Sequence, residues 1–149
     1  MASDIEKEYN KLAKKHPNLP NYSNLDKEFD IEMNIGDKEI PSRNILRGIS
    51  NACANYLHFF IDYLHNTMFP NQSSLITMEE AKIFNEEEKK KIEIILKKLV
   101  YLSRLNISLV NLKNEKEDAE FITKIYRDWK TLKKQIQPLL EKSRDHWKS

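Results

Sequence analysis

The most extended pattern of apolar and polar positions runs from Arg43 to Met68. Ile45, Ile49, Ala52, Cys53, Tyr56, Phe60 and Leu64 recur at helical spacing and form a broad apolar face. The pattern predicts a buried helix of about 26 residues, about 39 Å long, capped by Ser42 after Pro41. A second face of the same helix lines up Arg47, Asn51, Asn55, His58, Asp62 and His65 at steps of three or four. Residues so spaced share one side of a helix, which makes this polar seam the candidate binding site.

Further elements follow from start signals and stripes. Ser3 with Glu6 forms a capping box, and Ile5, Tyr9 and Leu12 continue at helical spacing until Pro17. Thr77 with Glu80 predicts a short helix through Ile83 and Phe84. Asn85 with Glu88 opens a helix bearing Ile92, Ile95, Leu96, Leu99 and Leu102. Residues 103–112 either extend that helix or break it near Asn106. Asn114 with Glu117 starts the last long helix, whose stripe is Ala119, Ile122, Ile125, Tyr126, Trp129, Leu132 and Ile136. Pro138 predicts a kink or restart, with Leu139, Leu140 and Trp147 continuing the apolar side.

Between Pro17 and Pro41 the pattern changes. Leu19, Tyr22, Leu25 and Phe29 are apolar anchors, compatible with one short helical turn at 24–30. Phe29, Ile31, Met33 and Ile35 then alternate with Asp30, Glu32 and Asn34, a strand-like period of two before the Gly36-Asp37 turn. A lone strand cannot satisfy its backbone, so extended chain laid over the helices, or a small hairpin with 38–41, is expected. The predicted fold is an all-α single domain over 1–149: a compact bundle of four to five helices with an irregular or extended wrapping segment at about 17–41.

Composition supports helices. The 149 residues include only two glycines and five prolines, few turn formers for a many-stranded fold. No stretch approaches the ~18 apolar residues of a membrane span, and the N-terminal pattern is charged and amphipathic; a cytoplasmic protein with no membrane partner is expected. The single Cys53 falls on the apolar stripe and reads as a small core residue. Net charge is +2. Residues 121–149 hold eight Lys/Arg against three Asp/Glu, net +5, while the rest is net −3.

The seam admits three readings. Its asparagines can bond the backbone of the 17–41 segment, or it can form a binding groove. Alternatively His58, Asp62 and His65 can hold Zn²⁺ or Fe²⁺, since imidazoles and a carboxylate suit those ions. A carboxylate-bridged di-iron bundle needs a second acid–histidine pair, and neither His16 nor His146 follows an acid by three residues. The basic surface of Lys124, Arg127, Lys130, Lys133 and Lys134 offers contacts to RNA phosphates, with Trp129 or Trp147 available for stacking. No glycine-rich phosphate loop, G-x-S-x-G, H-E-x-x-H, zinc-type Cys pair or R-x(4–6)-H is present.

In layout, the stretches LPNYSNLDKEF and EFITKIYRDWKTLKKQI, flanking an all-helical middle, resemble small uncharacterised archaeal all-helical proteins. That resemblance implies no activity. The expectation is therefore a non-catalytic helical interaction module without a cofactor, engaging a protein partner or itself; RNA binding and a metal-dependent activity are the alternatives.

Overall fold

The computed structural model describes residues 2–35 and 45–148, and helix is the only regular secondary structure among them. The elements are α1 (Asp4–Lys15), α2 (Tyr22–Phe29), α3 (Ile31–Ile35), α4 (Ile45–Met68), α5 (Leu75–Glu80), α6 (Glu86–Leu109) and α7 (Glu115–Trp147). No described helix is long and apolar enough to cross a membrane. The chain divides into two compact units, Met1–Tyr56 with Leu102–Asp128, and Leu57–Tyr101 with Trp129–Ser149. By these bounds α4, α6 and α7 each contribute residues to both.

In the first unit, Ser3 caps α1 by accepting the Glu6 amide at 3.1 Å, as predicted. Tyr9 is fully buried beside Tyr22, ring centroids 5.5 Å apart, and its hydroxyl donates to the Pro20 carbonyl at 2.5 Å. Burial drives the Tyr9 phenol well above its ordinary pKa. Cys53 is likewise sealed in the core, and burial pushes its thiol up.

The helical turn expected at 24–30 is present, and the extended stretch expected beside it is corrected. Residues 22–29 and 31–35 are two short helices, which brings the total among the described residues to seven. Asn21 caps α2 by accepting the Asn24 amide, and Asp30 ends it in the left-handed conformation at φ 52°. Asp is one of the few residues that tolerate this region, and the reversal restarts the chain as α3 in a new phase. Phe29 and Ile31 therefore both bury although adjacent to Asp30, while Met33 is 87% exposed. The apparent period of two was the junction of two helices. Asp26 accepts the Glu32 amide at 2.8 Å, and the Glu32 carboxylate accepts from Tyr22 at 2.6 Å and from Ser3. The expected hairpin with 38–41 and the Ser42 cap lie outside the described residues.

In the second unit, Leu64, Ile92, Ile95, Leu99, Trp129, Leu132 and Ile136 are buried, and the Phe60 ring lies 4.9 Å from Trp129. The Asn85–Glu88 box is reciprocal: Glu88 accepts the Asn85 amide at 3.0 Å and Asn85 accepts the Glu88 amide at 2.8 Å. Lys142 reaches Glu88 at 2.6 Å, and that contact, followed by the cap, holds the Glu88 carboxyl below its usual pKa. The short helix starts three residues earlier than predicted, with Ser74 as its cap rather than Thr77. In α6 the helix extends past Asn106 to Leu109, and α7 continues through Pro138 as one helix of 33 residues. Trp147 does not extend the buried stripe; it is 49% exposed.

Candidate functional site

The predicted seam falls into two parts with different environments. In the first unit Arg47 donates to Asp118 at 2.7 Å and also to Asn106, whose amide group donates to Asn51 at 3.1 Å. The partners come from α6 and α7, not from the short helices at 22–35. Only 8% of the Asp118 side chain is exposed, and burial raises its carboxyl pKa while the Arg47 charge opposes the shift. Burial lowers the Arg47 guanidinium, with Asp118 opposing. The Arg47 Nε finds no hydrogen-bond partner among the described residues. An ion pair so enclosed fixes a packing arrangement more than it adds stability. The sequence marks Asn106 only as a possible helix break and Asp118 not at all, yet each left a signal: a polar residue on an apolar stripe, 102/106/109 in α6 and 118/122/125 in α7.

In the second unit His58, Asp62 and His65 are all exposed on α4. The His65 ring lies 5.3 Å from that of Phe69. Among the described residues no group of three or more His, Cys, Asp or Glu side chains is placed to hold a metal ion. The metal reading therefore has no geometric support. Asn55, between the two parts, is also exposed.

The basic residues of α7 are also unequal. Lys124 and Arg127 share Asp128, at 2.9 and 3.3 Å, and Arg127, Lys130, Lys133 and Lys134 are all exposed. Trp129 is 1% exposed and has no face to offer a base. Trp147 is exposed, with its indole N–H donating to Glu80 at 3.3 Å. Within the first unit a cleft of about 300 Å³ opens between the end of α1, residues 15–19, and residues 116–127 of α7.

The feature not anticipated from the sequence is the orientation of α5. Its sequence is LITMEE, and not one of its residues is buried. Leu75 is 83% exposed and Ile76 62%, and Phe69 just upstream is also exposed. The helix is attached by its polar end. Glu80 accepts from Ser143 at 3.0 Å and from Trp147, and the His146 imidazole lies 3.2 Å from Glu79. An ordinary surface helix buries its apolar side chains and solvates its acids. Here the acids make the attachment and the apolar side chains meet water. The signal was adjacency: Leu75 and Ile76 stand side by side, Leu75 is followed at helical spacing by Met78 alone, and Ile76 is followed at three and four residues by Glu79 and Glu80.

No protein-family model matches the chain, and no curated protein and no solved structure matches it either.

Proposed function

We propose that the protein is a non-catalytic helical interaction module that assembles through α5 and the Phe69 approach to it. The carrying observation is the inverted attachment of α5, anchored by Glu79 and Glu80 with Leu75 and Ile76 left to solvent. Single exposed apolar residues are ordinary, but several gathered in one short segment are characteristic of association surfaces. The metal-dependent alternative receives less support, since His58, Asp62 and His65 are exposed and form no clustered ligand set among the described residues. RNA binding through α7 receives less support, since Trp129 is sealed and two of the five basic residues share Asp128.

A second copy of the chain is the partner in the form of this reading that can be tested directly. Light scattering over a concentration series is expected to show a reversible dimer. Leu75→Glu with Ile76→Glu is expected to abolish it without loss of helicity, because neither side chain is part of the core. A protein that stays monomeric throughout, or a dimer indifferent to the double substitution, contradicts assembly through α5.

A further inference from the structure

The cleft beside α1 in the first unit gathers four cationic side chains from two separate elements. Its walls bring Lys15 together with Lys116, Lys124 and Arg127, against a single lining carboxylate, Glu120. Lys15 closes α1, where a cation is favoured by the helix dipole. Lys116 has no such justification. It is the second residue of α7, at the positive end of a 33-residue helix, where Glu115, Glu117 and Asp118 follow the dipole's preference and Lys116 opposes it. Neither Lys15 nor Lys116 has an ion-pair partner among the described residues; Lys124 and Arg127 share one carboxylate, and His16 lies 2.9 Å from Glu115. The remaining lining includes the apolar Leu19 and Ala119.

Cations gathered from two separate elements, around a concave floor that is partly apolar, are complementary to a terminal phosphate carrying a small organic group. A lone α7 lysine face would be explained as a solvated helix surface; a cation from α1 converging on it is not. The volume, about 300 Å³, is that of a small ligand and not of an extended groove that tracks a polymer backbone. We propose that this cleft binds a small phosphate-bearing ligand of mononucleotide size, held by Lys15, Lys116, Lys124 and Arg127. This site is separate from the α5 assembly reading and does not depend on it.

Calorimetric titration at low salt with inorganic pyrophosphate and with adenosine monophosphate tests it, with adenosine as the uncharged comparison. Saturable binding of both phosphates and none of adenosine is expected. Lys116→Glu and Lys15→Glu are each expected to weaken binding by about tenfold or more, since each places a negative charge where a positive one faced the ligand. Lys98→Glu, the same charge change on the exposed side of α6, should leave the affinity unaltered. Circular dichroism establishes that each variant keeps its helices. No saturation by either phosphate up to about 10 mM, a regime of negligible affinity, overturns the proposal. So does an equal loss in the Lys98 variant, which would indicate general attraction to net charge. A single-stranded homopolymer RNA that binds more tightly per phosphate than the mononucleotide would also overturn it, in favour of a polymer-tracking surface.

Discussion

The two halves of the polar face of α4 look alike in sequence and are used differently. In the first unit Arg47 and Asn51 are consumed by a network with Asn106 and Asp118. In the second unit His58, Asp62 and His65 stand in solvent. The spacing along one helix is the same in both. What differs is whether polar residues on other helices come opposite. A polar stripe therefore marks a face, and its meaning is set by the element packed across it.

The largest expected effect tests the networked half. Arg47→Leu leaves the Asp118 carboxylate enclosed without its cation, and urea unfolding should show a loss of about 3–5 kcal/mol. Adding Asp118→Leu should recover most of it, because two apolar side chains then replace the pair. The single variant should also acquire a distinctive pH dependence. Without Arg47 the folded-state pKa of Asp118 rises further above its unfolded value, so the folded state binds the extra proton. Stability of the variant should thus recover relative to the parent as pH falls from 7 toward 4. A deficit independent of pH would assign the loss to packing alone.

A smaller effect is expected where a charge is satisfied near the surface. Glu88→Gln removes the ion pair with Lys142 and weakens the reciprocal cap of α6, an expected loss of about 1 kcal/mol at neutral pH. The sign is opposite to that of Asp118. The folded-state pKa of Glu88 lies below its unfolded value, so its contribution is present above the unfolded pKa and disappears as pH falls through the lowered one. The gap between parent and variant should close between about pH 5 and 3. The smallest effect belongs to the exposed half of α4: His58→Ala with His65→Ala should change stability by no more than about 0.5 kcal/mol, and added zinc should not alter the melting temperature. A zinc-dependent rise confined to the parent would restore a metal role for these residues.

These contrasts also delimit what the sequence could reveal. Long helices were legible because their stripes repeat over many turns, as at Ile92, Ile95, Leu99 and Leu102, and the caps at Ser3, Asn85 and Asn114 carry a local signature that needs no tertiary context. The stretch at 29–35 was misread because a single left-handed Asp30 shifts the helical phase, and seven residues are too few to separate a strand from a helix junction. Thr77 matched the box pattern equally well, yet Ser74 was the cap that met the helix start. The candidate site was the least legible part. Arg47 and Asn51 were visible, but Asn106 and Asp118, 59 and 71 residues away from Arg47 in sequence, could be joined to them only by the fold. The outward apolar face of α5 likewise depends on Ser143, His146 and Trp147, which no local pattern connects to Glu79 and Glu80.

Sedimentation velocity across a concentration series, on the parent, on Leu75→Glu/Ile76→Glu and on His58→Ala/His65→Ala, compares α5 with the histidine face directly. A dimerising parent, an equally dimerising histidine variant and a monomeric α5 variant are expected. A monomeric parent, or assembly lost with the histidines and retained without the α5 side chains, would contradict assembly through α5.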